Sequence, residues 1–275
     1  MAHTSAGRPA GQRRRAGRLL LLVAAAAVVA TVVAVALLQA VTGSAAGCQR
    51  SFIPAYFYGS GTWAEAAASR PPPAYLILDI SGMGAGTAPE PHFRSVVRAA
   101  RAAGAQILGY SSTAGGARPA SQVAADVRHY RAWYGVRNIL LDVVSGTPAD
   151  LPYYRQLSRL IRHTDPGSQL WLNPGRYPDP RYMALANVVV VFEGPYANYP
   201  GSAVPRWASD YPASRFAATI YATPPSSLAS AIGQARGRRT GYVYVTTGTG
   251  ANPYAALPPY WNREASLVAS RCPGR

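Results

Sequence analysis

Asn138-Ile139-Leu140-Leu141-Asp142 is an apolar run bounded by polar side chains, and Val188-Val189-Val190-Val191-Phe192-Glu193 repeats the pattern further on. Neither run alternates apolar with polar residues as a strand with one wet face would. Each therefore reads as a strand covered on both sides, as in a parallel sheet wrapped by helices. Each also delivers a carboxylate at its C-terminal end. Comparable runs occupy 52–58, 75–80, 106–110, 169–173, 216–222 and 242–246, which brings the number of expected strands to eight.

Between the strands the period changes. Phe93, Val96, Val97 and Ala100 recur at helical spacing before Gly104, and Val123, Val127, Tyr130 and Tyr134 do so before Gly135, each glycine standing where a helix C-cap is expected. Thr147-Pro148-Ala149-Asp150 reads as the start of a third helix, with a capping Thr, that buries Leu151, Tyr154, Leu157 and Ile161. Eight such units in about 230 residues point to a (β/α)8 barrel, with an open doubly wound sheet as the alternative. Residues 195–215, rich in Pro, Ser and aromatics, show no helical period and are expected to form a long loop over the barrel mouth.

The chain has 275 residues, 49% hydrophobic and 14% charged, enough to bury a large core and too apolar for a disordered polyelectrolyte. Its 26 Gly and 24 Pro punctuate the apolar runs, which excludes collagen-like and mucin-like organisation. All 27 basic residues are Arg, against 11 acids. Arg8, Arg13, Arg14, Arg15 and Arg18 precede an uncharged run over 19–38; twenty such residues span roughly 30 Å, the thickness of a bilayer core. The expected organisation is a cytoplasmic tail (1–18), a transmembrane signal anchor (19–40), a linker (41–50) and an extracytoplasmic barrel domain (51–272). Cleavage after Ser44-Ala45-Ala46 would instead release the domain.

Cys48 and Cys272 bracket the soluble region. A disulfide between them is the first reading, closing a loop that contributes on the order of 4 kcal/mol in the chain-entropy model; a lipidated Cys48 is the rival.

In a barrel, chemistry gathers at the C-terminal strand ends, and those positions are polar here: Tyr56, Tyr58, Asp79, Tyr110, Asp142, Asn173, Glu193, Tyr221 and Thr246. Any one acid there is as readily a strand-end cap or an arginine partner. Three acids in one mouth favour a site, and paired carboxylates are what glycosidic cleavage needs. Eighteen Tyr and five Trp against five Phe supply rings that stack on sugars and hydrogen-bond them; Tyr56, Tyr58, Trp63, Tyr110, Tyr196 and Tyr221 lie nearest the expected mouth, whereas Trp133, Tyr154 and Trp171 read as core.

Other chemistries lack support. His92, His129 and His163 fall in expected helices without ligand spacing, so no metal is implied. There is no Gly-x-Ser-x-Gly elbow. Gly82-x-Gly84-x-Gly86 lacks the Lys-Ser/Thr of a phosphate loop and reads as a flexible rim loop; no cofactor is expected. Residues 48–275 carry 22 Arg and 11 acids, a scattered positive charge that fits an anionic wall polymer better than nucleic acid.

Several stretches in one order resemble the spherulin 4-like proteins, spherulation-specific family 4: Ile53-Pro54-Ala55-Tyr56-Phe57-Tyr58 with Trp63; Arg131-Ala132-Trp133-Tyr134-Gly135-Val136 leading to Leu141-Asp142; Leu172-Asn173-Pro174-Gly175; Val191-Phe192-Glu193-Gly194-Pro195; Gly241-Tyr242-Val243-Tyr244-Val245-Thr246 with Asn252-Pro253-Tyr254; and Leu257-Pro258-Pro259-Tyr260-Trp261. The resemblance implies a (β/α)8 barrel. It also implies kinship with endo-acting hydrolases of galactosamine-containing exopolysaccharide, whose acids after the fourth and sixth strands map to Asp142 and Glu193. This chain departs from active fungal members in reading Asp142-Val143 where they have Asp-Glu, and in Asp79 where many relatives have Asn.

The expected function is a membrane-anchored, extracytoplasmic glycoside hydrolase of an amino-sugar polysaccharide. Glu193 would be general acid/base, Asp142 nucleophile or base, and Asp79 an assisting group, with Tyr56, Tyr58, Tyr110, Asn173 and Tyr221 binding substrate. The alternative is a non-catalytic cell-surface polysaccharide-binding protein.

Overall fold

A computed structural model describes residues 48–270 and 272. The expected tail and membrane span lie outside the described residues, among which no helix is long and apolar enough to cross a membrane. Eight parallel strands close into a barrel in sequence order: β1 (Arg50–Pro54), β2 (Tyr75–Leu78), β3 (Gln106–Ser112), β4 (Asn138–Asp142), β5 (Leu170–Leu172), β6 (Val188–Pro195), β7 (Phe216–Tyr221) and β8 (Tyr242–Val245). The ring closes where Arg50 pairs with Tyr242 and Ser51 with Val243, which excludes the open sheet.

Six α-helices cover the outside: α1 (Ser60–Ala68), α2 (Pro91–Ala102), α3 (Ala120–Tyr134), α4 (Leu151–Thr164), α5 (Leu228–Gly237) and α6 (Trp261–Ala269). The sequence period appears directly in their packing. α2 buries Phe93, Val96, Val97 and Ala100 and turns Arg94, Arg98 and Arg101 to solvent. α3 buries Val123, Val127, Tyr130 and Tyr134, then ends on Gly135 at φ 64°; the Gly135 and Val136 amides donate to the Arg131 and Tyr130 carbonyls, both at 3.0 Å. α4 begins a turn later than expected. Thr147 caps nothing; its hydroxyl donates to Asp150 Oδ2 at 2.8 Å, Pro148 belongs to the preceding turn, where its carbonyl accepts the Leu151 amide at 3.4 Å, and Pro152 is the first-turn proline.

Two of the seven connections between strands hold no α-helix. Between β5 and β6 stands a 3-10 turn over Pro180–Ala184, with Tyr182 and Met183 buried. Between β6 and β7, residues 196–215 form three short 3-10 turns. This stretch does not cover the mouth as expected. It descends the outer wall beside α5: Tyr196 bonds Ser230 in the first turn of α5 at 3.3 Å, and Arg238 past its end donates to the Pro200 carbonyl at 2.7 Å. Trp207 then packs on Phe216 at the foot of β7. The aromatics that broke the helical pattern do a helix's work of covering the sheet.

The lumen is floored by rings. Trp171 of β5 lies 5.4 Å from Phe52, 4.9 Å from Tyr75 and 4.8 Å from Tyr242, centroid to centroid. Such offset and tilted aromatic packing fills the narrow interior and leaves the upper lumen as the open end. At the foot, Cys48 and Cys272 form a disulfide, joining the chain ahead of β1 to the chain beyond α6.

Candidate active site

The upper lumen opens into a cavity of about 480 Å³ lined by Tyr56, Asp79, Tyr110, Asp142, Glu193, Tyr221 and the 250–254 loop. Three carboxylates and three of the expected aromatics thus meet in one place. The remaining aromatic candidates lie elsewhere. Tyr58 stands on the rim outside the cavity, 64% exposed and stacked on His92 at 4.4 Å. Trp63 is 1% exposed, its indole N–H bound to the Phe57 carbonyl at 3.0 Å, because it lies on the inner face of α1. Tyr196 sits on the outer wall.

Asp142 reaches the cavity through plain alternation along β4, on the same face as Leu140, which pairs with the lumenal Trp171. The strand end is held by Thr113, whose amide donates to the Asp142 carbonyl at 2.9 Å and whose hydroxyl reaches the Val143 carbonyl at 2.8 Å. Val143 itself adopts φ 50° and is 52% exposed, a left-handed conformation uncommon for a β-branched residue.

Glu193 arrives differently. By strict alternation it would share a face with Val189 and point outward. A β-bulge lies between Val190, which pairs with Ala217, and Phe192, which pairs with Ala218, so Val191 is the extra residue. Parity reverses beyond it. Phe192 turns out against Tyr199, and Glu193 turns in opposite Thr219.

Asn173, at the end of β5, binds the two carboxylates together: its Nδ2 donates to Asp142 Oδ1 at 2.7 Å and makes a short hydrogen bond to Glu193 Oε2. Its Oδ1 accepts the Gly175 amide at 2.9 Å, which fixes the amide orientation. Gly175, at φ 63°, makes the turn possible, and its carbonyl accepts the Glu193 amide at 3.0 Å. The other carboxylate oxygen of Glu193 accepts from the Tyr254 hydroxyl at 2.7 Å. Tyr254 was not legible as a site residue. It lies in the loop beyond β8, held by Asn252, whose side chain accepts the Tyr254 amide at 3.0 Å and donates to the Tyr56 carbonyl at 3.3 Å.

Burial, and next the Glu193 charge, push the Asp142 carboxyl from 3.8 up to about 6, against hydrogen bonds from Tyr110, the Val143 amide and Asn173. The Tyr56, Tyr110 and Tyr254 hydroxyls are raised, first by burial and then by the nearby carboxylates, so they remain protonated donors. Asp79 is also raised by burial, opposed by the Gly82 and Ser81 amides it accepts at 2.9 and 3.3 Å. The glycine-rich loop that follows is fastened to the barrel and not free. Asp126 of α3 accepts the Ala85 amide at 3.2 Å and pairs with Arg118 at 2.7 Å, and Arg118 donates to the Met83 carbonyl at 2.8 Å. A Cβ on Gly84 would strike the Asp126 carboxylate at 2.1 Å, so only glycine fits there.

Residues 51–268 match the sequence model of spherulation-specific family 4. The chain belongs to that family. Spherulin-4 of Physarum polycephalum is 28% identical over 230 residues, covering 78% of this chain and 69% of that protein. Among solved structures, Aspergillus clavatus Sph3 in complex with GalNAc superimposes with a TM-score of 0.70 at 23% identity, over 81% of this chain and 98% of that one. A chitinase from Chromobacterium violaceum superimposes at 0.57 with 12% identity, over 83% and 100%. Both likenesses are of fold: the closed parallel barrel is shared with these structures.

Proposed function

We propose that this member of the family is a retaining glycoside hydrolase of an amino-sugar polymer, working outside the cytoplasm. The observation that carries the reading is the Asp142–Asn173–Glu193 bridge at the base of an open cavity. Two oxygens that accept from one nitrogen are held within about 6 Å of each other. Retaining pairs stand about 5–5.5 Å apart, whereas inverting pairs need about 6.5–9.5 Å to admit a water.

In the proposed cycle Asp142 attacks the anomeric carbon while Glu193 gives its proton to the departing glycosidic oxygen. The ionised Glu193 then takes a proton from water, whose oxygen displaces Asp142 and frees the sugar. The acid step needs one proton on the pair. Burial and the Glu193 charge let Asp142 hold a proton up to about 6, and below that value the pair keeps one proton, which sits on Glu193 when Asp142 attacks. Tyr254 holds Glu193 in place, and Tyr56, Tyr110 and Tyr221 face the sugar. The amino-sugar class rests on the GalNAc complex of Sph3. The extracytoplasmic location rests on the apolar run at 19–38 and on the disulfide, which persists in oxidising compartments.

The test is release of reducing ends from a partially deacetylated galactosamine polymer. Glu193→Gln is expected to abolish it. Asp142→Ala is expected to be inactive and partly rescued by azide, giving a glycosyl azide. Undiminished polymer binding with no product from the unmodified protein would establish the non-catalytic binding role instead.

A further inference from the structure

The adjacent helices α2, α3 and α4 expose eight arginines: Arg94, Arg98 and Arg101; Arg128 and Arg131; Arg155, Arg159 and Arg162. The single acid within these helices is Asp126, which is buried and already paired with Arg118. At the foot, Asp165 is shared between Arg131 at 3.3 Å and Arg137 at 3.7 Å; Glu90 and Asp150 stand at the opposite helix ends. Arg98, Arg128, Arg155 and Arg159 have no hydrogen-bond or ion-pair partner among the described residues. Spacings of three and four residues line the α2 and α4 arginines along the helix axes, with a charge every roughly 5 Å.

Repulsion is built into this face. Arg101 donates to the Tyr134 and Gly135 carbonyls at 3.4 and 2.8 Å, and its guanidinium is held below its ordinary value by burial and by neighbouring Arg137. Between α2 and α3 a pocket of about 280 Å³ is walled by Arg94, Arg98 and Arg101 and by the Trp133 ring. Arg94 Nε donates to the Trp133 carbonyl at 3.0 Å, which leaves its other guanidinium nitrogens and the whole of Arg98 to face an anion, and a concave site with this charge and no carboxylate suits one that can accept forked hydrogen bonds.

We propose that the α2–α4 wall binds a flexible, linear phosphate polymer, seated by the Arg94–Arg98–Arg101 pocket and extended along the flanking ladders. Curvature decides against a flat bilayer. Three neighbouring helices of an eight-fold barrel span about a quarter turn of a convex wall, so a plane touches one ladder at a time while a polymer can follow all three. The site lies outside the cavity and does not depend on the chemistry proposed there.

The test uses the full chain and inorganic polyphosphate as probe, with Kd measured against salt concentration. Arg98→Gln/Arg128→Gln, which breaks no hydrogen bond or ion pair described above, is compared with Arg206→Gln/Arg263→Gln, an equal charge change off this face. The first pair is expected to weaken binding at least several-fold and to lower the slope of log Kd against log salt by about 1.5. The second is expected to leave the slope unchanged. Equal effects of both pairs would reduce the attraction to net charge and overturn the proposal. So would unaltered polyphosphate binding by the first pair combined with loss of salt-sensitive binding to phosphatidylglycerol vesicles, which would assign the face to a membrane.

Discussion

Replacing Asp142 with Asn should make the protein more stable at alkaline pH and leave it unchanged in acid. The folded carboxyl titrates near 6 against 3.8 unperturbed, a difference of about two units. At about 1.4 kcal/mol per unit, ionising it in the folded state costs about 3 kcal/mol. Because the folded value is raised, the stability linked to this group is fully present below 3.8 and is lost as pH climbs through about 6. The amide keeps an oxygen for Asn173 and carries no charge to repel Glu193. At pH 8 the Asp142→Asn variant should therefore recover much of that cost, raising Tm by roughly 5–10 °C for a domain of this size; at pH 4, where Asp142 is already protonated, the two proteins should melt together. Thermal melts followed by circular dichroism at both pH values, with the disulfide intact, provide the measurement. An equal Tm difference at both pH values, or a lower Tm for the variant at pH 8, would refute the account of a strained carboxylate pair.

Turnover of the unmodified protein should fall as pH rises above about 6, when the pair loses the proton needed for the acid step, as a pH–rate profile would show. Tyr254→Phe removes a 2.7 Å donor to Glu193 and should cost about 10- to 100-fold in kcat while leaving Tm within a few degrees. Gly175→Ala forces an L-residue into φ 63° beside Glu193 and should destabilise by about 1–2 kcal/mol, read by urea denaturation, with reduced activity. Cys48→Ser should lower stability by about 2–4 kcal/mol, since the bond closes nearly the whole domain, while the folded variant at 25 °C keeps its turnover because the bond lies at the foot of the barrel.

The strand ends were legible because a doubly covered strand must be apolar and must surrender its polar residues where it leaves the core; Asp79, Asp142 and Glu193 are visible for that reason alone. Tyr254 was hidden because a loop of Gly, Pro and Asn has no period to say where its side chains return. Trp63 and Tyr58 both fall outside the cavity, since an aromatic near a strand end can follow either the helix that comes next or the rim. The missing helix after β6 was readable as broken period over 195–215, but the descent along α5 depends on contacts distant in sequence, such as Arg238 with Pro200. The bulge at Val191 belongs to the same class: it is defined only by partners on β7.

That single surplus residue makes the placement of the sixth-strand acid depend on strand pairing that no inspection of acidic side chains would detect. Flattening the bulge with every residue kept would swing the sixth-strand glutamate out of the lumen into the protein's apolar jacket, whereas deleting Val191 would keep it facing in, because Phe192 and Glu193 would then follow Val190 in regular alternation. Two chains of this fold could thus carry the same acids in the same order and present different ones to the lumen.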